Sequence, residues 1–301
     1  MRSRFLISAI CLSSLAAAIP ANADPFFFST GNPDGLMAAA SRPASRGKFE
    51  IETADDFVTT AQTTTLTSAT FTGLIPTGAP TSNITSVTVE IYQVFPMDSN
   101  VGRTSGPPTF STPQVPTRVN SPSDVELTDR SSTTPGALTF TATLLQSSFT
   151  AANSVQPGGI HPQPGQTTGG NGPVTGEEIQ ISASLATALS LAPGHYFFVP
   201  QVQLSTGDFL WLSAPRPIVS PGTPFPAGFT DLQGWTRDQF LDPDWLRVGT
   251  DIVGGSTPPT FNFAFTLNGV ETPLPATLPL FASGLGVLGL LGWRRKRKAA
   301  A

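Results

Sequence analysis

At 301 residues, with 16 Lys or Arg against 20 Asp or Glu, the chain has room for one large domain or two small ones. Seven basic residues are Arg2, Arg4 and the five from Arg294 to Lys298, while every acidic residue lies from Asp24 to Glu271. That middle part therefore carries nine basic against twenty acidic residues, a formal charge of −11. An acidic body repels phosphate backbones, which excludes nucleic acid as a partner.

The chain opens with a processing signal. Arg2 and Arg4 precede an apolar stretch at 5–19, and Ala21-Asn22-Ala23 supplies small residues for cleavage. Charged, apolar and small-residue regions in that order predict a helical secretory signal over 1–23 and a mature chain that starts at Asp24. The only cysteine, Cys11, would leave with it. Disulfides, thiol catalysis and cysteine-ligated metals are thereby excluded from the mature chain, and stability falls to a hydrophobic core.

Beyond Asp24 the sequence reads as all-β. Val87, Val89 and Ile91 alternate with Thr88, Glu90 and Tyr92; Ile179, Ile181 and Ala183 alternate with Gln180 and Ser182; Phe261, Phe263, Phe265 and Leu267 alternate with Asn262, Ala264 and Thr266. This period of two marks antiparallel strands with one face on a core. Further strands are predicted at 48–52, 56–60, 66–74, 138–145, 195–204 and 209–213. The last two flank Ser205-Thr206-Gly207-Asp208, whose glycine suits a hairpin turn. An antiparallel β-sandwich of jelly-roll type over 24–268 accommodates these elements, with a barrel as the alternative. One short helix is expected at 184–191. The Pro- and Gly-rich stretches at 96–135 and 153–176 read as long irregular loops.

Residues 269–301 form a tail of different character. Residues 277–293 are seventeen in number, about 25 Å as a single transmembrane helix against roughly 30 Å of hydrocarbon. Trp293 would sit at the interface, and Arg294, Arg295, Lys296, Arg297 and Lys298 would form a basic stop on the cytoplasmic side. Pro273, Leu274, Pro275 and Ala276 precede the span, Gly284, Gly286, Gly289 and Gly292 space it, and the basic cluster closes it. This combination closely resembles the PEP-CTERM sorting signal of Gram-negative bacteria, with Leu274 where that family carries glutamate. The resemblance implies recognition at the inner membrane by an exosortase-type protease, cleavage near Pro273-Ala276, and release to the cell surface or an extracellular polysaccharide layer.

Catalytic signals are sparse. The two histidines are His161 in a Pro/Gly loop and His195 at a strand start; neither accompanies a Gly-x-Ser-x-Gly elbow or a His-Glu-x-x-His motif in the mature chain. Carboxylates are plentiful at Asp55-Asp56, Asp124/Glu126/Asp129, Glu177-Glu178 and Asp238/Asp242/Asp244/Asp251. Solvation is their default role, and no cofactor is expected. Asp242 and Asp244, on either side of Pro243, are the first place to look for a metal such as calcium. Trp235 and Trp245, if exposed, would stack on sugar rings; if buried, they would fill the core. The resulting expectation is a non-enzymatic surface or matrix protein with a structural or adhesive role in exopolysaccharide. A carbohydrate-binding module, calcium-dependent in one version, is the second reading, and a carbohydrate-active hydrolase the third.

Overall fold

Alternating side chains give each strand an apolar face, and two such sheets can bury those faces only against each other. The computed structural model describes residues 23–60, 63–95, 120–160, 167–215, 218–219 and 232–272. Within them the strands in chain order are β1 (Asp24–Ser29), β2 (Met37–Ala40), β3 (Ile51–Thr59), β4 (Thr63–Ile75), β5 (Ile84–Gln93), β6 (Thr128–Ser131), β7 (Leu138–Ala151) and β8 (Asn153–Val155). There follow β9 (Val174–Leu191), β10 (Gly194–Leu204), β11 (Leu210–Ala214), β12 (Ile218–Val219), β13 (Trp235–Asp238), β14 (Leu246–Arg247), β15 (Asn262–Phe263) and β16 (Phe265–Thr272).

These strands form a ten-stranded and a six-stranded sheet. In the larger, β4 is the hub: one edge pairs with β9 from Thr64 to Ile75, and the other takes first β16 and then β11. The order runs β12-β1-β16-β4-β11-β2-β8, with β15 on β11 and β7 beyond β9. The smaller sheet runs β14-β13-β3-β10-β5-β6. Neighbours are antiparallel apart from β2 and β8, a parallel pair that departs from the expected pattern.

Aromatic rings join the facing sheets. Phe198 of β10 stacks on Phe265 of β16 at 5.1 Å and meets Phe71 of β4 at 6.1 Å, while Phe57 of β3 lies 6.0 Å from Phe28 of β1. Trp211 is fully buried, and its indole N–H donates to the Ala264 carbonyl at 2.9 Å, so no polar group is stranded. One polar tie also crosses the core: the Phe263 amide of β15 donates to the Asp55 carboxyl of β3 at 2.6 Å. Burial, and then the neighbouring Asp56, push Asp55 well above the usual carboxylate range.

Several elements differ from expectation. The stretch 184–191 is strand rather than helix: it completes β9, with Leu185, Leu189 and Leu191 buried and Leu189 opposite Leu66 of β4. Alternate burial in an eighteen-residue strand outweighs the helical preference of its Ala and Leu residues. Residues 205–208 do not close a hairpin. They carry the chain from β10 in one sheet to β11 in the other, with Gly207 at φ 75° making the turn. Of the predicted strands at 48–52 and 56–60, residues 51–52 and 56–59 belong to one strand, β3, and the stretches read as loops contain β6 and β8. The last strand continues past residue 268 to Thr272, and Asp24–Thr272 is one compact unit. No helix among the described residues is long and apolar enough to cross a membrane. The expected signal helix, before residue 23, and the span at 277–293 lie outside the described residues.

Candidate functional site

The six-stranded sheet has a second buried face. Its strands turn Ala54, Tyr92, Phe197, Val199 and Trp235 away from the shared core, and Trp245 packs with them as a separate apolar cluster. Ionisable groups lie on the same face, because Arg237 is the cross-strand partner of Glu52, and Glu90 that of Val199. The segments around Ser123 and Trp245 close over it, joined by the Trp245 indole N–H donating to the Ser123 carbonyl at 3.2 Å.

Arg237 is the centre of this network. Its Nε and Nη2 donate to the two oxygens of Glu52, the latter at 3.1 Å. Nη2 also reaches the Tyr92 hydroxyl at 3.1 Å, and Nη1 donates to Asp242 Oδ1 at 3.0 Å and the Pro243 carbonyl at 3.2 Å. The guanidinium lies 4.2 Å above the Trp245 ring and 5.4 Å from that of Tyr92. Burial disfavours its charge, but Glu52 and then Asp242 outweigh that cost and hold its pKa up.

Around this cation the acids are crowded. The Tyr92 hydroxyl donates to Glu52 at 2.6 Å and lies 3.3 Å from Glu90; burial and then Glu52 push the phenol up, so it stays protonated. Burial, followed by Glu52, Glu126 and Glu50, pushes Glu90 well above the usual range. Glu50 is raised by burial and Glu52, although Gln201 donates to it at 2.9 Å. Glu126 is raised by burial, Asp129 and Glu52. Chemically this is a charge cluster, buried at Arg237, Glu52, Glu90 and Tyr92 and exposed at Asp242 and Glu126, that fastens two loop segments to a sheet. It resembles neither an open cleft nor a pair of carboxylates separated by room for a sugar.

Trp235 and Trp245 are 1 % and 0 % exposed; Arg247 lies 4.7 Å from the Trp235 ring and Arg237 4.2 Å from that of Trp245. Sugar stacking is corrected to packing, since neither ring has a free face. Asp242 is tied to Arg237, and Asp244 is buried with its amide donating to the Leu241 carbonyl. Asp238 caps the same turn, accepting from the Phe240 and Leu241 amides, and Asp251 accepts from the Arg247 amide. Among the described residues no group of three or more His, Cys, Asp or Glu is placed to hold a metal. Asp55 and Asp56 point to opposite faces of β3, the latter 2.6 Å from His195 Nε2. His161, Pro273, Leu274, Pro275, Ala276 and the basic stop Arg294, Arg295, Lys296, Arg297 and Lys298 lie outside the described residues.

Glu50, Glu52, Tyr92 and Arg237 were not singled out by sequence reasoning. Arg237 offered the one usable signal, a cation within an acidic region, while Glu90 and Tyr92 read as the wet side of an alternating strand.

A second locus is the end of the larger sheet where the tail departs. Asp24, the first residue of β1, pairs with Glu271 of β16, and Thr272 pairs with Thr63 as the last residue of that strand. Residues 271–297 match the PEP-CTERM protein-sorting motif, so the matched segment begins within this paired end. No curated protein and no solved structure matches the chain. The motif marks an exported protein sorted by exosortase, a membrane protein, and destined for secretion or the cell surface.

Proposed function

We propose that the chain is a non-enzymatic structural protein of the cell surface or extracellular polysaccharide layer, delivered by its tail and acting through its folded body. The observation that carries this reading is the sorting motif at 271–297. It begins at the end of β16 in the larger sheet, while on the smaller sheet Glu52 and Glu90 are buried, Glu52 being bound by Arg237, which packs over Trp245. In this reading the signal over 1–23 starts export, residues 277–293 hold the precursor in the inner membrane, and cleavage near Pro273-Ala276 frees the body.

Deletion of residues 273–301 tests delivery. The intact chain should appear at the surface or in the medium at a mass reduced by loss of the tail, and the deleted chain should not reach the surface. Identical location and body size for both would overturn the sorting step. The matrix role is tested separately in a strain unable to make its exopolysaccharide, where the processed protein should be lost from the cell layer into the medium. Undiminished retention there would overturn that role while leaving sorting intact.

A further inference from the structure

Among the described residues the larger sheet ends in a strand with one unpaired edge. β7 is fourteen residues long and pairs with β9 on one side; among the described residues no strand pairs with its other side. Free edges are ordinarily shielded by charge, proline or short length. β7 contains no Asp, Glu, Lys, Arg, Pro or Gly, and neither does β9 from Ile179 to Leu191, in a protein whose body is strongly acidic. Two irregularities after Leu144 interrupt the pairing with β9, so the regular part of the edge is 138–144.

That segment, Leu-Thr-Phe-Thr-Ala-Thr-Leu, has a self-complementary order. Thr139, Thr141 and Thr143 are exposed on one face. On the other, Leu138 is buried and Phe140 and Ala142 are half-buried against the core, while Leu144 at the end is 48 % exposed.

We propose that β7 is an interface for a second copy of this chain, the two strands pairing antiparallel about a two-fold axis at Thr141. This register places Thr139 opposite Thr143 of the other copy, Phe140 opposite Ala142 and Leu138 opposite Leu144. A large ring meets a small methyl, a leucine covers the exposed Leu144, and the threonines form a ladder outside. A register displaced by one residue would place the two cores on opposite sides of the joined sheet, because alternate side chains change face. The occupant is another copy because like-charged bodies can approach along a charge-free edge, and because the segment reads as its own complement when reversed. Main-chain hydrogen bonds supply the affinity, as in other strand additions. The pairing does not depend on the matrix role proposed above.

The mature chain contains no cysteine, so a cross-link can test the axis directly. Directly opposed residues in an antiparallel pair have Cα atoms about 4.5 to 5.5 Å apart, within the roughly 4.4 to 6.8 Å that a disulfide spans. The full-length chain would be purified in a Cys11→Ser background. Thr141→Cys should oxidise to a covalent dimer in high yield. Thr139→Cys and Thr143→Cys should cross-link when mixed and scarcely at all alone, and Thr187→Cys, exposed on β9, should not cross-link. Thr141→Lys should convert a dimer to a monomer in light scattering, with unchanged melting temperature and circular dichroism showing that it has folded. Monomeric scattering by the unsubstituted protein throughout its soluble range would overturn the proposal, as would Thr141→Cys cross-linking no faster than Thr187→Cys.

Discussion

Asp24 and Glu271 face each other across β1 and β16, so the chain enters and leaves its larger sheet at the same end. Burial, and then the adjacent Asp24, raise the Glu271 carboxyl. One residue later Thr272 makes the final cross-strand pair. A cut within Pro273-Ala276 would therefore remove no residue of the sheet. A chain of residues 24–272 is expected to melt at the same temperature as the exported, processed protein. Ending at 268 instead removes the pairs that Gly269 to Thr272 make with β1 and β4. At about 1 kcal/mol per net hydrogen bond that loss amounts to a few kcal/mol, measurable by urea unfolding. Equal stability for the two lengths would show that the strand end contributes nothing.

Arg237 and Glu52 are the pair most sensitive to one-sided substitution. Arg237→Met leaves Glu52 buried beside Glu90 without its cation, and removes the contact over Trp245. Breaking a buried pair this way costs about 3 to 5 kcal/mol. Adding Glu52→Gln should restore much of the loss, because the stranded charge is then gone. A double-mutant cycle on urea midpoints reads the coupling directly, and additive losses would mean that the two residues do not act as a pair.

The cluster also sets a pH dependence. Glu90, ordinarily near 4.5, and Asp55, ordinarily near 3.8, are held well above those values in the fold. Below the ordinary values both folded and unfolded chains keep the protons, so these groups impose no penalty. Above them the unfolded chain releases protons that the fold retains, and stability falls as pH rises toward the folded values. Each such group contributes a slope of about 1 kcal/mol per pH unit. The melting temperature should thus be higher near pH 5 than near pH 8. Glu90→Gln should flatten the profile and raise stability at the alkaline end; a profile unaffected by that substitution would contradict a neutral Glu90.

The all-β character was legible because the alternation at 87–91, 179–183 and 261–267 reports a face that really is buried: Val87, Ile181 and Phe265 all lie in the shared core. The same alternation misled where both faces are covered. Glu90 and Tyr92 stand on the outer side of β5, and nothing local announces that segments near Ser123 and Trp245 close over them. Sheet membership was equally hidden. Gly207 marks a turn, but a turn alone does not say whether the chain comes back along the strand it has left or crosses to the facing sheet. Trp235 and Trp245 admitted two fates from sequence, and only the positions of Arg247 and Arg237 over their rings decide between them.

Two substitutions should weaken the shared core in opposite ways. Phe198 touches Phe71, Trp211 and Phe265 at 6.1, 5.9 and 5.1 Å and has no exposed surface. Phe198→Ala opens a cavity where both sheets meet and should cost about 3 to 5 kcal/mol. Gly73 fails from too much volume instead. Opposite Trp211, an added methyl would lie 2.3 Å from the Phe209 ring and 2.6 Å from the Leu210 carbonyl oxygen. Gly73→Ala should therefore destabilise by about 1 to 3 kcal/mol through overpacking. Phe209→Leu should relieve the ring contact but not the carbonyl contact, so the double variant should regain only part of the loss. Full recovery would mean that the ring alone limits the site; no loss in Gly73→Ala would mean that β4 and β11 lie farther apart than the geometry requires.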